Sequence, residues 1–142
     1  MKAQSQTLHR SSLGLRTTVT IAIALFSASA AQGQSTTKYA VSGRPLKLSF
    51  FYSTNPDCSM VGRPTIRIIR APEHGRITVT QTTDFPNFPV SNIRNECNRR
   101  RVPGAAVYYV SQRGFLGTDF VQVEIIFASG SLRQQSYNIN VR

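Results

Sequence analysis

The sequence predicts an all-β protein that folds as an antiparallel β-sandwich of about seven strands. Three observations favour this fold class. Apolar and polar residues alternate in short runs, Gly, Pro and Asn turns separate the runs, and no segment after residue 33 has the period of a helix. Residues 34–142 make up 109 of the 142 residues, which is enough chain for one domain with its own core.

The alternating runs can be followed along the chain in order. They lie at residues 39–41, 46–53, 66–68, 77–80, 107–109, 121–127 and 137–141. In the second run Leu48, Phe50 and Tyr52 are predicted to share the buried face, while the residues between them face solvent. Every run is of this half-buried kind, which is typical of antiparallel sheets.

Turn residues connect the runs. Pro72 and Gly75 stand in the turn of residues 71–75, where proline fixes φ early and glycine is free to take a positive φ. Residues 114–119 form a compact corner, and residues 128–131 form a hairpin turn. The connection of residues 82–104 is different, because it has three prolines and little alternation. A connection of this length in a small domain is either functional or pinned to the rest of the fold.

The first 33 residues are predicted to be a secretory signal peptide. Lys2, Arg10 and Arg16 give a positive start without acidic residues, an apolar stretch follows, and small residues come next. Cleavage after Ala30 and cleavage after Gly33 both fit, and the later site is preferred. A retained membrane anchor is the alternative, but the apolar stretch is shorter than the roughly 20 residues of a spanning helix. The sequence therefore predicts a periplasmic or secreted protein.

Cys58 and Cys97 are the two cysteines of the chain. In an oxidising compartment an even pair most simply forms one disulfide, although two free thiols or an intermolecular bridge are alternatives. The bridge would close a loop of 39 residues and contribute about 4 kcal/mol of stability through loop entropy. A zinc site would need further ligands, and His74 is the only histidine after residue 33, so no metal and no cofactor is expected.

The charge balance points to anionic partners. The chain has 17 Lys and Arg against 6 Asp and Glu, and removal of Lys2, Arg10 and Arg16 leaves 14 against 6, a net charge of +8. A basic exported protein is attracted to acidic polysaccharides, anionic lipids or nucleic acid outside the cell. The alternative is that the charge only keeps the protein soluble.

The strongest candidate for a binding site is a basic run beside Cys97 on the long connection, made of Arg99, Arg100 and Arg101 with Arg94 nearby. Each guanidinium can hold a phosphate or a carboxylate with two parallel hydrogen bonds. A disulfide beside the run would lower the entropy cost of binding. The alternative is a solvated loop without a partner. Aromatic residues do not alternate with these arginines, which disfavours nucleic acid as the ligand.

Three segments resemble the immunoglobulin-like and cadherin-like repeats of bacterial surface proteins. Residues 69–77 are similar to the family's Pro-x-His-Gly turn and strand, residues 107–119 to its tyrosine strand and Gly-Phe-x-Gly-x-Asp corner, and residues 130–141 to its final strand. The Gly-Phe-x-Gly-x-Asp segment is the most specific of the three. The resemblance covers most of residues 34–142 and implies a sandwich used for adhesion, display or binding rather than catalysis.

The resemblance also implies structural roles at the turns. These roles fall on Pro72, Gly75, Gly114, Phe115, Gly117 and Asp119. Asp119 is expected to hydrogen-bond backbone N–H groups of its corner turn, and Phe115 to fill one end of the core. The chain departs from the family because it carries a single copy and has Ser111 and Gln112 where many relatives have Pro. Its acidic residues are scattered, so calcium binding is not carried over.

Catalysis has little support in the sequence. The chain has no Gly-x-Ser-x-Gly elbow, no His-Glu-x-x-His zinc site and no phosphate-binding glycine loop, and His74 fits the family's turn pattern. We therefore expect a non-enzymatic binding or envelope-associated module that recognises an anionic glycan, lipid or protein surface. A small secreted enzyme or enzyme inhibitor that uses residues 82–104 is one alternative. A structural subunit of a surface assembly, joined through an exposed edge strand, is another.

Overall fold

The computed structural model describes residues 34–142, and the signal peptide predicted for residues 1–33 lies outside the described residues. The described chain forms seven strands and one short 3₁₀ turn, Asn95–Arg99, so the predicted all-β class is confirmed. The strands are β1 (Gln34–Ala40), β2 (Leu46–Tyr52), β3 (Thr65–Arg70), β4 (Gly75–Asp84), β5 (Val102–Ser111), β6 (Gly117–Ile126) and β7 (Leu132–Val141). Within this part of the chain, no helix is long and apolar enough to cross a membrane.

The strands form two sheets that pack face to face, which confirms the predicted β-sandwich. One sheet has the order β1-β7-β6-β3 and the other has the order β2-β5-β4. Four of the pairings are antiparallel, but β1 pairs with β7 in parallel. The alternation predicted only antiparallel pairing, and only residues 39–41 for this first strand. Parallel pairing is available here because most of the domain separates the two strands, far more chain than the crossover that parallel neighbours need.

Alternate residues of the strands fill the space between the sheets, because successive side chains of a strand point to opposite faces. The four-stranded sheet contributes the buried residues Val121, Val123, Ile125, Tyr137 and Ile139. The three-stranded sheet contributes Leu48, Phe51, Val107 and Tyr109. The core therefore lies between β6 and β7 on one side and β2 and β5 on the other.

The burial pattern of β2 differs from the predicted one. The pairing of β2 with β5 shifts register between Lys47 and Ser49. After the shift Phe51 faces the core, whereas Phe50 and Tyr52 lie on the outer face of the sheet. A β-bulge reverses the alternation of the residues that follow it, so the period-two prediction was wrong for the second half of this strand.

The connections gather at the two ends of the sandwich. Residues 53–64, 85–101 and 127–131 lie at one end, which we call the disulfide end. Residues 41–45, 71–74 and 112–116 lie at the other, the turn end. At the disulfide end the first and third connections touch, since a Cβ placed on Gly62 would lie 2.4 Å from the Cβ of Ala128.

Asp119 anchors the turn end. Its buried carboxylate accepts hydrogen bonds from the backbone N–H groups of Glu73 (2.9 Å) and His74 (3.0 Å) and from the Tyr109 hydroxyl (3.0 Å). It also accepts one from the N–H of the next residue, Phe120, at 3.0 Å. The sequence predicted bonds within the corner turn, whereas most of the bonds reach the β3–β4 turn and β5. Burial and the bond to Asp119 raise the pKa of Tyr109.

The other predicted turn residues lie at the same end. Phe115 packs against the end of the core, and its ring stacks on that of His74 with the centroids 4.2 Å apart. Gly114 and Gly117 have positive φ values of 82° and 137°, which favour glycine. Pro72 is half-buried in the β3–β4 turn.

Gly75 has a different role from the predicted one, because its φ is not positive. A Cβ at this position would lie 2.5 Å from the ring of Tyr109 and 2.7 Å from the carbonyl oxygen of Val110. The start of β4 therefore needs glycine for space and not for backbone freedom.

Candidate binding surface at the disulfide end

The predicted disulfide between Cys58 and Cys97 is present, and it joins the two longest connections of the described fold. Cys97 is fully buried in the 3₁₀ turn. Cys58 has a φ of 69° and lies in a tight turn where the Ser59 N–H (2.9 Å) and hydroxyl (2.6 Å) both donate to the Asp57 carboxylate. These bonds lower the pKa of Asp57. The bridge therefore links two segments that are each held by local bonds.

Asparagine side chains hold the connection of residues 85–101 in place. The Asn98 side chain accepts a bond from the Phe88 N–H (2.9 Å) and donates one to the Phe88 carbonyl (2.9 Å). Asn95 donates to the same carbonyl (3.0 Å), and Asn92 accepts from the Arg94 N–H (2.9 Å). These side chains satisfy backbone groups that no strand pairs. Sequence reasoning missed them, although asparagines at every third position were a visible signal of tight turns.

The same connection also packs on the outer face of the β2-β5-β4 sheet. The Phe88 ring meets the Tyr52 ring edge to face with centroids 5.2 Å apart, and the Tyr52 hydroxyl accepts a bond from the Asn87 N–H at 2.8 Å. Phe50 covers Gly104, where a Cβ would lie 2.6 Å from the phenyl ring. The connection is therefore pinned to the sheet as well as to the disulfide.

Two of the four predicted binding arginines are engaged within the fold. Arg94 is half-buried, and its Nε donates a hydrogen bond to the Thr54 carbonyl at 2.7 Å, so it ties the two bridged connections together. Arg101 donates to the Thr83 carbonyl at 3.3 Å, and its guanidinium lies 5.7 Å from the centroid of the Phe85 ring. The Arg101 side chain is otherwise exposed.

The other two, Arg99 and Arg100, line an open cleft of about 330 Å³ beside the disulfide, together with Asp57 and Glu96. Arg99 lies 3.3 Å from the Glu96 carboxylate, and both side chains are exposed. An exposed ion pair contributes only about 0–1 kcal/mol to stability. A phosphate or carboxylate of a ligand can therefore replace Glu96 as the partner of Arg99 with little loss of free energy. The cleft has two positive and two negative groups, so long-range attraction for an anion comes from the net charge of the whole domain.

Apolar side chains project from the same connection. Val90 is 90% exposed and Ile93 is 73% exposed, and Phe85 is exposed as well. Backbone hydrogen bonds between residues 89 and 95 hold Val90 and Ile93 on consecutive tight turns. Sequence reasoning missed these two residues, because no alternation distinguishes a projecting side chain from a packed one within a loop.

Residues 34–142 show no arrangement typical of a catalytic site. The His74 ring stacks on Phe115, its Nδ1 is buried without a hydrogen-bond partner, and Asp119 bonds the His74 backbone and not its ring. In the same range, no three His, Cys, Asp or Glu side chains come together as a metal site.

The fold and the site define a disulfide-bonded β-sandwich domain with two bridged connections at one end. The chain matches no protein-family model, no curated protein and no solved structure.

Proposed function

We propose that this protein is an exported, non-enzymatic binding module that recognises anionic lipid surfaces through its disulfide end. The observation that carries the proposal is the exposure of Val90 and Ile93 on the connection that also carries Arg99, Arg100 and Arg101. Apolar side chains beside basic ones suit an anionic bilayer, where they enter the acyl boundary while guanidiniums contact phosphates. An anionic glycan offers similar charges without an apolar layer, so the exposed side chains favour lipid.

The strand order supports the proposal that the domain is of the immunoglobulin-like or cadherin-like type. In immunoglobulin domains one sheet contains strands B, E and D, and the other contains C, F and G. If the seven strands are lettered A to G in chain order, β2, β5 and β4 correspond to B, E and D, and β3, β6 and β7 correspond to C, F and G. β1 corresponds to A and lies beside β7. The disulfide end then contains the B–C and F–G connections, which form binding loops in antibody variable domains. A binding role for this end agrees with its long connections on a rigid scaffold.

The charges and the apolar side chains set the expected strength of binding. A basic residue near an anionic membrane contributes about 1 kcal/mol, so Arg99 and Arg100 together give about 2 kcal/mol, or roughly a 30-fold gain in affinity. Full burial of Val90 or Ile93 adds about 1.5 kcal/mol or more for each side chain. Stable attachment of this kind depends on both contributions together, so removing either one should release the protein.

Sedimentation with lipid vesicles tests the proposal. The protein should bind vesicles that contain phosphatidylglycerol and should bind pure phosphatidylcholine much less. Binding should weaken as salt is raised, because the screening length falls from about 8 Å at physiological ionic strength to about 3 Å at 1 M. Two variants should each lose binding: Val90→Ser/Ile93→Ser and Arg99→Gln/Arg100→Gln/Arg101→Gln.

A matched control variant carries Leu116→Ser and Arg113→Gln, which change an exposed apolar and an exposed basic residue at the turn end. This control should bind vesicles as the wild type does. Equal binding by the wild type and the arginine variant would contradict the proposed site. Retention on an immobilised acidic polysaccharide that survives Val90→Ser/Ile93→Ser, without vesicle binding, would assign the ligand to glycans instead.

A further inference from the structure

β4 is the least protected edge strand among the described residues. The edge strands β2 and β3 each contain a register shift and a basic residue, and β1 has Lys38 within it. β4 pairs with β5 over ten consecutive residues without a shift, and its charged residues are Arg76 and Asp84 near its two ends. Asp84 also forms an ion pair with Lys47 of β2. Edge strands are ordinarily blocked by bulges, charges or proline, and β4 has none of these between Ile77 and Thr82. At its C-terminal end, Arg101 donates a hydrogen bond to the Thr83 carbonyl.

Apolar side chains are also exposed along the side of the sandwich next to β4. Ile68 of β3 is 46% exposed and Val79 of β4 is 37% exposed. Both belong to the inward faces, because Ile68 pairs with Val123 and Val79 pairs with Val107, and these partners are core residues. A strand added beside β4 would cover this apolar side and would pair with the backbone groups of the edge, where it would replace Arg101 at the Thr83 carbonyl.

We propose that β4 pairs with β4 of a second copy of this chain, antiparallel and centred on Thr80. In this register Thr78 of one copy faces Thr82 of the other, and Arg76 faces Asp84 at both ends of the pair. Arg76 and Asp84 lie on the same face of the sheet because an even number of residues separates them. The two charges of β4 are therefore opposite in sign and symmetric about Thr80, as a self-complementary two-fold contact requires.

The contact would join two three-stranded sheets into one continuous sheet of six strands. Because the two β4 strands run in opposite directions, the disulfide ends of the two copies would point away from each other. A dimer whose disulfide ends bind anionic surfaces would then bridge two such surfaces, a consequence that rests on the proposed function. The dimer itself does not depend on it.

Cysteine cross-linking tests the register. Thr80→Cys places a thiol at the two-fold axis, where facing Cβ atoms are about 5 Å apart, so oxidation should give a covalent dimer. Thr78→Cys is the matched control, because residue 78 faces residue 82 of the other copy and lies roughly 13 Å from its own counterpart along the strand. Cross-linking of Thr78→Cys as fast as Thr80→Cys, or no cross-linking of Thr80→Cys, would overturn the proposal.

Reversing the charges of Arg76 and Asp84 tests the proposed dimer contact without introducing a cysteine. The wild type should sediment as a dimer, and Arg76→Asp and Asp84→Arg should each weaken dimerisation by about tenfold or more, since like charges then meet at both ends. An equimolar mixture of the two variants should recover the dimer, because each mixed pair again joins opposite charges. Arg113→Asp and Glu73→Arg are matched controls at the turn end and should leave the dimer unchanged.

Two results of the charge reversal would overturn the proposal. One is a wild type that stays monomeric at every concentration, and the other is a mixture that associates no more tightly than the single variants. Vesicle binding by a monomeric wild type would refute the dimer and leave the proposed function standing. The two proposals can therefore fail separately.

Discussion

Replacing Asp119 with alanine should destabilise the turn end strongly. The substitution removes the carboxylate that accepts hydrogen bonds from the N–H groups of Glu73 and His74 and from the hydroxyl of Tyr109. The two N–H groups belong to the tight turn between β3 and β4, where no neighbouring strand can replace the lost acceptor. The Tyr109 hydroxyl lies in the core and is closed to solvent.

The expected loss follows from how deeply each donor is buried. A donor left unpaired costs about 1 kcal/mol when it is partly buried and up to about 3 kcal/mol when it is fully buried. The two N–H groups are partly buried and the Tyr109 hydroxyl is buried, so we expect a loss of about 3–5 kcal/mol. A domain of this size is stable by only about 5–15 kcal/mol, so the thermal midpoint should fall by about 15 °C or more.

Urea unfolding with the disulfide intact measures this loss. Tyr109→Phe removes one of the bonds and should cost about 1–2 kcal/mol, while Asp119→Asn keeps one oxygen and should lie between the wild type and Asp119→Ala. In the double variant Asp119→Ala/Tyr109→Phe, the phenylalanine should cost little once the carboxylate is gone. A loss below about 1 kcal/mol for Asp119→Ala would refute the reasoning, since water would then be replacing the carboxylate.

Disulfide reduction, two glycine substitutions and a rise in pH have expected outcomes that chemical unfolding can measure. Reducing the disulfide should lower the free energy of unfolding by about 4 kcal/mol, because it releases a loop of 39 residues, and an unchanged urea midpoint in dithiothreitol would contradict this. Gly104→Ala should cost about 2 kcal/mol or more, because its Cβ would lie 2.4 Å from the carbonyl oxygen of Phe51. Gly130→Ala has a positive φ of 82° but open space around it, so it should cost only about 1 kcal/mol, and equal losses for the two variants would count against the packing argument. Burial raises the pKa of Tyr109 and Tyr137, so the folded protein keeps phenolic protons that the unfolded chain loses above about pH 10. The stability that these groups contribute should be complete below about pH 10 and decline as the pH rises further, and Tyr137→Phe should flatten the decline in a series of unfolding curves.

The parts of the fold that depend on local alternation could be predicted from the sequence. The run from Val121 to Ile125 and the run from Tyr137 to Val141 both alternate, although Ile126 breaks the polar face of the first, and they became parts of β6 and β7 with the predicted buried faces. Phe50 was misplaced because a bulge depends on the partner strand, which the sequence of β2 does not reveal. The parallel pairing of β1 was missed for the same reason, since its partner lies at the far end of the domain.

The candidate site could be predicted only in part. The disulfide was predicted from an even pair of cysteines together with a predicted export signal, and it is present. The arginine run did not reveal that Arg94 turns inward to Thr54, because that contact crosses between two connections far apart in sequence. The exposure of Val90 likewise depends on how the whole connection packs, and residue type alone does not determine it.

The pairing of β1 with β7 also affects when the domain can be completed. β1 is the first described strand to be synthesised and β7 is the last, so β1 has no partner until nearly all of the polypeptide is available. Contacts between such distant segments form late and slowly, because a long loop must close before they form. β1 therefore stays unpaired while β2 to β6 are synthesised, and the four-stranded sheet gains this outer strand last.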